Sequence, residues 1–158
     1  ELLRISKESF DALSFNCYAL SPDHEKMNHA LEISGLPMII GEYHFGTVDR
    51  GLAQSLWQVN SQKERGDAFR YYTENAFAHR GLIGTGWFRW IDQNINGRTD
   101  GENYNCGFID VTDRPYPYMV DAAIETAKSL YEIHSGTKTP FHQAPNAVGH
   151  SPIPDLWE

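Results

Sequence analysis

Cysteine is scarce in this 158-residue sequence, which excludes a fold stapled by several disulfides. Cys17 and Cys106 are too few for a disulfide framework, and their spacing is not that of metal ligands. We expect both as reduced thiols, with one oxidised pair as the alternative. The seven histidines include no His-x-x-x-His pair, so the sequence does not support a zinc site. We therefore predict neither a metal nor a cofactor.

Positive charge and long apolar runs are also in short supply. The chain has 13 Lys and Arg residues against 21 Asp and Glu residues, and its net charge of -8 argues against nucleic acid, acidic sugars and anionic membrane surfaces. No apolar run approaches the roughly 18 residues of a membrane span. No signal peptide opens the chain, although it starts at Glu1 without Met, so a leader could have been removed. We predict no nucleic-acid partner and no membrane partner.

The residues that are present alternate between strand and helix three times. Apolar runs predict strands over 11–18, 37–42 and 82–91, and helical signals predict helices over 21–34, 60–79 and 116–135. Ser21, Pro22 and Asp23 are typical of a helix start, and Gly35 of a helix end. The expected buried side chains are Val59, Ala68, Phe69, Tyr72, Ala76 and Phe77 around the second helix, and Ile124, Ala127, Leu130 and Tyr131 in the third.

This alternation predicts an α/β fold with right-handed βαβ units and a parallel sheet. Three units are too few for a closed barrel, which needs eight and typically ~250 residues. The sequence therefore indicates either the final part of such a barrel, over residues 1–135, or a small open sheet whose unpaired edges another copy or another segment would cover. Residues 136–158 contain four prolines, which predicts an extended tail packed over a surface.

One carboxylate stands at the end of a predicted buried strand. Glu42 follows the apolar run 37–40 and is flanked by Tyr43, His44 and two glycines. In barrels of alternating strands and helices, active residues lie at the carboxyl ends of the strands, which makes Glu42 a catalytic candidate. The structural alternative is that Glu42 pairs with an arginine or caps the next segment. The first strand ends in Asn16 and Tyr18, two further polar candidates.

A second polar stretch follows the third predicted strand. It holds Trp87, Trp90, Asp92 and Gln93, and it leads into the loop 94–105, which is built almost entirely from polar side chains and glycines and contains Glu102 and Asn103. Aromatic faces stack on sugar rings while amides and carboxylates bind hydroxyls, so this stretch favours a carbohydrate cleft. The alternative is that the tryptophans are core residues, and alternation along a strand favours core for one of the two.

The same loop partly matches a calcium-binding EF-hand. Asp92, Asn94, Asn96 and Gly97 occupy positions 1, 3, 5 and 6 of that pattern. The match fails at position 12, where the bidentate Glu is replaced by Asn103. We therefore do not assign a calcium site there.

Taken together, five fragments resemble the C-terminal part of the catalytic barrel of glycoside hydrolase family 50 β-agarases, relatives of the β-galactosidase-like retaining glycosidases. The fragments are Gly-Glu-Tyr-His-Phe-Gly at 41–46, Asp-Arg-Gly at 49–51, Gln-x-Glu-Arg-Gly at 62–66, Gly-Thr-Gly-Trp-Phe-x-Trp-x-Asp at 84–92 and Asp-Gly-Glu-Asn-Tyr-Asn-x-Gly at 100–107. The resemblance covers about residues 11–135. It implies that the predicted strands are barrel strands six to eight and that Glu42 is the nucleophile of a retaining β-galactosidic hydrolysis.

The resemblance also implies a polysaccharide substrate such as an agarose-like galactan, and a secreted or periplasmic location. The implied cleft residues beside Glu42 are Asn16, Tyr18, His44, Trp87, Trp90, Asp92, Gln93, Glu102 and Asn103. The chain departs from the family in lacking the Asn-Glu pair that carries the acid/base. Glu102 is the candidate for a second carboxylate, although we expect it to bind substrate hydroxyls instead.

Three functional classes follow from this departure. The first is a glycosidase whose missing N-terminal barrel part lies outside this chain. The second is a non-catalytic, self-associating half-barrel that binds sugars. The third is a related glycosidase, such as a β-galactosidase or mannanase, with another sugar.

Overall fold

The structure is a computed structural model that describes residues 1–150. In chain order, this part of the chain contains α1 (Leu2–Ser9), β1 (Leu13–Asn16), α2 (His24–Ser34), β2 (Met38–Tyr43), β3 (Trp57–Gln58), α3 (Gln62–Phe77), β4 (Leu82–Trp87), α4 (Pro117–His134) and β5 (Val148–Gly149). The main sheet is parallel, with strand order β1-β2-β4, and β3 pairs with β5 in a separate antiparallel ribbon. The predicted alternation of strands and helices is confirmed.

Local signals place the helix ends with small corrections. The helix expected from Ser21 begins instead at His24, because the Asp23 carboxylate is the N-cap and accepts hydrogen bonds from the backbone N–H groups of Glu25 (3.0 Å) and Lys26 (3.2 Å). The helix ends at Gly35, where φ is +67°, as predicted.

The third strand is shorter than predicted, because the chain leaves the sheet after Trp87 and pairs with a later loop. The N–H of Arg89 donates to the carbonyl of Cys106 (3.2 Å), and the N–H of Phe108 donates to that of Trp90 (2.8 Å). The polar residues after β4 therefore belong to a folded loop layer above the strand ends.

Three elements had no sequence prediction. Helix α1 carries mostly polar and charged residues between its few apolar ones, and β3 and β5 are two residues each. A two-residue strand is too short to show a period of two, so its pairing depends on tertiary contacts.

The hydrophobic core lies between the sheet and the helices. Its fully buried members include Met38, Ile40 and Leu82 from the strands and Ala68 and Tyr72 from α3. Five of the six side chains predicted to be buried around α3 are buried, and the sixth, which is Phe77, is partly buried against the same cluster.

The buried face of α4 was predicted wrongly. Ile124 is 48% exposed, Tyr131 is 88% exposed, Ala127 is exposed and Leu130 is half-buried. The buried positions are instead Met119, Ala122, Thr126, Ser129 and Ile133. The physical reason is a polar contact with α3, in which the Thr126 hydroxyl donates to the buried carboxylate of Glu74 (3.1 Å). The buried side of α4 therefore combines small and hydroxyl side chains with Met119 and Ile133, and Ile124 and Tyr131 lie on the opposite side.

The face of the sheet opposite the core is uncovered in the described residues. Ser14 and Asn16 are exposed, Ile39 is half-buried, and Ile83 beside the buried Leu82 is 57% exposed. Parallel sheets normally bury both faces. Within residues 1–150, this sheet therefore differs from most parallel sheets in having one face that no helix or loop covers.

The described part of the tail lies against α3 without forming a helix. The N–H of Phe141 donates to the Glu74 carboxylate (2.8 Å), and the Arg70 guanidinium lies 4.6 Å from the Phe141 ring centre. Residues 151–158, the end of the predicted extended tail, lie outside the described residues. Among the helices of residues 1–150, none is long and apolar enough to cross a membrane.

Candidate active site

Three of the predicted site residues meet at the carboxyl ends of β1 and β2. Asn16 is the register partner of Glu42 across the two strands. The side-chain amide of Asn16 and the hydroxyl of Tyr18 each donate to Oε2 of Glu42, both at 2.9 Å. Glu42 is only half-buried, so its carboxylate is held firmly yet reachable from solvent.

Glycine at position 41 makes this contact sterically feasible. A Cβ on Gly41 would lie 2.8 Å from Oδ1 of Asn16, inside the contact limit. On the other side, a Cβ on Gly86 of β4 would lie 2.4 Å from the carbonyl oxygen of Gly41. The two glycines therefore let Asn16 and β4 both close in on the strand that carries Glu42.

The carboxylate of Glu42 is asymmetric. Both donors bind Oε2, and within residues 1–150 no hydrogen bond reaches Oε1. Burial, followed by the hydrogen bond to Glu42 and its negative charge, raises the pKa of Tyr18 well above its usual value of 10.0. Tyr18 thus stays protonated at neutral pH and acts only as a donor to the carboxylate.

His44 is placed beneath this group and not in the open cleft. It is 2% exposed, and both ring nitrogens are occupied: Nε2 accepts from the Leu56 N–H, and Nδ1 bonds to the Phe88 carbonyl, each at 3.1 Å. Burial lowers the pKa of His44 to about 3, so the ring is neutral. Its ring meets that of Tyr18 edge-on at 4.9 Å between centroids.

The two tryptophans occupy different environments. Trp87 is part of an aromatic cluster with Tyr43 and Phe69, and its indole N–H donates to the Cys106 carbonyl (2.7 Å). Trp90 is 69% exposed and rests on Phe108 with ring centroids 5.9 Å apart. Trp90 accordingly presents an open aromatic face, whereas Trp87 is largely occupied by packing.

Asp92 and Gln93 are buried and use their polar atoms inside the protein. The Asp92 carboxylate accepts from the Asn105 amide (2.9 and 3.0 Å), the Gly107 N–H (2.7 Å) and the Tyr116 hydroxyl (2.5 Å). Gln93 is fully buried and ties down the far side of the loop, since its carbonyl accepts from the Tyr104 N–H at 2.7 Å. In this structure both side chains hold the loop layer together.

Glu102 and Asn103 lie on the accessible part of that loop. Glu102 is half-buried, accepts from Gln93 (2.7 Å) and lies 3.3 Å from Arg98. Its negative charge is the smallest of the named contributions to the raised pKa of Tyr18. Asn103 is half-buried, and its side-chain amide donates to the Ile95 carbonyl at 3.5 Å.

Two other kinds of chemistry find no support in residues 1–150. No group of three or more His, Cys, Asp or Glu side chains there is arranged to hold a metal ion. Cys17 and Cys106 are both reduced and buried, as predicted. Burial raises the pKa of the Cys106 thiol to about 12, so it does not supply a thiolate nucleophile at neutral pH.

A buried polar network that the sequence patterns did not reveal lies under the loop layer. We call it the Arg65 network, and its members are Thr47, Gln62, Arg65, Asp92, Asn105, Gly107 and Tyr116. The Arg65 guanidinium is fully buried, donates to the Gln62 amide (3.1 Å) and to the Gly107 carbonyl, and lies 4.6 Å from the ring centre of Tyr116. Arg65, Gln62 and Gly107 all belong to the fragments that carry the family resemblance. Their presence in these fragments is the sequence signal from which the network could have been found.

Comparison with known proteins connects this geometry to a family. No family model matches the chain. The chain is 39% identical over 128 residues to beta-agarase A of Vibrio sp. (strain JT0107), covering 77% of this chain and 13% of that protein. A solved exo-beta-agarase is 36% identical with a TM-score of 0.79, covering 84% of this chain and 18% of its own. The structure of PfGH50B is 39% identical with a TM-score of 0.79, covering 83% and 19%.

This chain matches a segment of the glycoside hydrolase family 50 β-agarases. The resemblance to these agarases found in the sequence is thereby confirmed, and the α/β structure of the chain matches their solved structures. The family 50 segment spans 13% of the curated relative and less than a fifth of the two solved chains. Asn16, Tyr18 and Glu42 lie together at the strand ends of that segment, which gives the family assignment a defined candidate site.

Proposed function

We propose that this segment supplies strands six to eight of a (β/α)8 barrel in a β-agarase-type glycoside hydrolase, with Glu42 as the nucleophile. The observation that carries the proposal is the Glu42 carboxylate itself, held by Asn16 and Tyr18 through one oxygen at the carboxyl ends of parallel strands. The uncovered sheet face, with Ile83 at 57% exposure, supports a barrel that other strands complete.

The asymmetry of Glu42 suggests how it would react. In a retaining mechanism, Oε1 attacks the anomeric carbon as the bond to the leaving oxygen breaks, and a second carboxyl protonates that oxygen. Asn16 and Tyr18 keep Oε2 in place, so the attacking oxygen is presented in one orientation. Water then hydrolyses the glycosyl ester, with the second carboxyl acting as base.

The second carboxyl would come from protein outside this chain. Retaining enzymes place the two carboxyls about 5–5.5 Å apart. No Asn-Glu pair occurs in the sequence, and Glu102 is already engaged with Gln93 and Arg98. We therefore assign Glu102, with Asn103, to sugar hydroxyls and assign the acid/base to an earlier barrel strand. Mechanism-based labelling of Glu42, described in the Discussion, tests this proposal.

The proposed substrate is an agarose-like galactan that runs past Glu42 toward Trp90. Trp90 offers an exposed aromatic face beside the polar loop, as a neutral sugar chain requires. The absence of a second carboxyl favours one other candidate function, in which the isolated chain binds such a sugar without cleaving it.

Trp90→Ala should weaken binding of agarose oligosaccharides to the folded protein. A lost stacking surface is worth about 0.5–1.5 kcal/mol beyond area burial, or roughly a two- to thirteenfold rise in Kd. Isothermal titration calorimetry measures it, and Tyr131→Ala, an exposed aromatic on α4, is the matched control. If Trp90→Ala and Tyr131→Ala both bind as tightly as the unsubstituted protein, Trp90 does not stack on the sugar.

The 158-residue chain alone should self-associate and should not hydrolyse agarose oligosaccharides or aryl β-galactosides. The edges of β1 and β4 and the face beside Ile83 need partners, and the acid/base is absent. Sedimentation velocity over a concentration series should show species heavier than 18.0 kDa. A folded monomer with substantial turnover would contradict both halves, and Glu102 would become the first residue to mutate.

A further inference from the structure

His44, like Asp92 and Gln93, is a predicted sugar ligand whose polar atoms are both committed inside the protein. The backbone N–H of Leu56 donates to Nε2, so the ring proton is on Nδ1, which donates to the Phe88 carbonyl. These bonds join the end of β2 to the chain after β4 and to the loop before β3. At 2% exposure, the ring has no free donor or acceptor to offer a sugar hydroxyl.

The His44 ring also packs against Tyr18, whose hydroxyl donates to Glu42. The Tyr18 and His44 rings meet edge-on, 4.9 Å apart and inclined by 67°. Tyr104 meets His44 from another side, with centroids 5.8 Å apart and rings inclined by 74°. The backbone of Tyr18 is fixed separately, since its carbonyl accepts from the Trp57 indole (2.7 Å). With its backbone tied, the freedom of Tyr18 that would move the phenol oxygen is rotation about χ1, and the His44 ring packed against it blocks that swing on one side.

We infer that His44 is a positioning residue: its neutral ring, pinned by Leu56 and Phe88, holds the Tyr18 ring so that the phenol donates to Oε2 of Glu42. This replaces the earlier interpretation of His44 as a sugar ligand and rests on the proposed function for its catalytic consequence. A misplacement of about 1 Å can cost a factor of 100 in rate, so a loss of support two residues from the nucleophile should be measurable.

The proposed role of His44 depends on a neutral imidazole ring. A proton on Nε2 would turn the acceptor of the Leu56 N–H into a second donor and break that bond. Burial opposes this protonation, and the positive charge of Arg65 opposes it as well. Over the ordinary pH range the ring is therefore a fixed spacer between the two loops and Tyr18.

The first test uses kinetics in the full-length protein that contains this segment. His44→Asn keeps a donor near the Nδ1 position but removes most of the ring, and His44→Phe keeps the ring but removes both hydrogen bonds. Each should lower kcat about 10- to 100-fold and leave KM within about threefold, because the sugar contacts are untouched. His29→Gln, an exposed histidine on α2, is the control and should change neither constant. A loss that resides in KM would overturn the inference, since it would make His44 a sugar ligand.

The second test needs no activity, so it separates this inference from the proposed function. In the 158-residue chain with 13C-labelled tyrosine rings, the Tyr18 phenol should ionise well above its usual range, and His44→Asn should bring that ionisation down by opening the ring to water. Nitrogen-15 spectra of the unsubstituted chain should show the proton of His44 on Nδ1. An unchanged Tyr18 titration in H44N, or a proton on Nε2, would overturn the inference even if Glu42 proved to be the nucleophile.

Discussion

Glu42→Gln should reduce hydrolysis of agarose oligosaccharides at least about a thousandfold in the full-length protein that contains this segment. The substitution keeps an oxygen that can accept from Asn16 and Tyr18, so the strand ends should remain folded. It removes the charge with which Oε1 attacks the anomeric carbon. Initial rates on defined oligosaccharides measure the loss, and an unchanged Tm shows that it is chemical. Glu125→Gln, an exposed carboxylate on α4, is the control and should keep full activity.

The same residue should be trapped covalently. A 2-fluoro galactoside with a good leaving group slows hydrolysis of the glycosyl ester, so the labelled peptide should be the one that contains Glu42. Peptide mass spectrometry locates the label. Labelling of Glu102 would overturn the assignment of the nucleophile, and a Glu42→Gln variant that retains turnover would do the same. Azide should restore part of the activity of Glu42→Ala, since a small anion can fill the space of the lost carboxylate.

The residues at strand ends were the ones that sequence reasoning could place. Asn16 and Glu42 each stand at the end of a predicted strand, and parallel strands bring their carboxyl ends to one edge. Their common position at that edge could therefore be expected from strand prediction, and the family resemblance implied that they share a cleft. Gly35 and the α3 core face were also predictable, because a helix end and a 3.6-residue stripe depend on a few neighbouring residues.

The residues after β4 could not be placed in the same way. Asp92 and Gln93 have the composition of sugar ligands, yet their partners Asn105, Gly107 and Tyr104 lie 11 to 15 residues away along the chain. Nothing in a local pattern tells whether a polar side chain will find such a partner or a ligand. The same reason explains why the buried side of α4 was predicted wrongly, since that side contacts the Glu74 carboxylate on α3 through Thr126.

The Arg65 network shows what the family fragments encode beyond chemistry. Gln62 and Asn105 converge on Thr47, with the Gln62 amide 2.9 Å from the Thr47 hydroxyl and the Asn105 amide oxygen 3.0 Å from it. These side chains join the loop after β2, the start of α3 and the loop after β4. Residues that resemble a site by sequence therefore include those that fix the loops around Glu42.

Asp92→Ala should be the most destabilising single substitution among the buried polar residues, at about 3–5 kcal/mol. Asp92 is 4% exposed and faces the charge of Arg65, which is fully buried. Removal of the carboxylate takes away the negative charge that acts most strongly on that cation and leaves only the more weakly acting Asp49. It also removes the acceptor of the Gly107 N–H and of the Tyr116 hydroxyl, and one acceptor of the Asn105 amide. Urea unfolding of the chain, followed by circular dichroism, gives the free energy of unfolding. Asp121→Ala, an exposed carboxylate on α4, should stay within about 0.5 kcal/mol of the unsubstituted protein.

A double-mutant cycle separates the buried charge from the lost hydrogen bonds. Asp92→Asn keeps one acceptor oxygen but not the charge, and it remains measurable if Asp92→Ala proves too unstable to fold. Adding Arg65→Met to Asp92→Asn should recover part of the loss, because no uncompensated cation then remains in the core. If the two substitutions were instead simply additive, the Arg65 network would be held by hydrogen bonds alone. If Asp92→Ala lowered the free energy of unfolding by less than about 1 kcal/mol, Asp92 would not be needed for the fold. The sequence-based assignment of Asp92 as a sugar ligand near Glu42 would then be preferred.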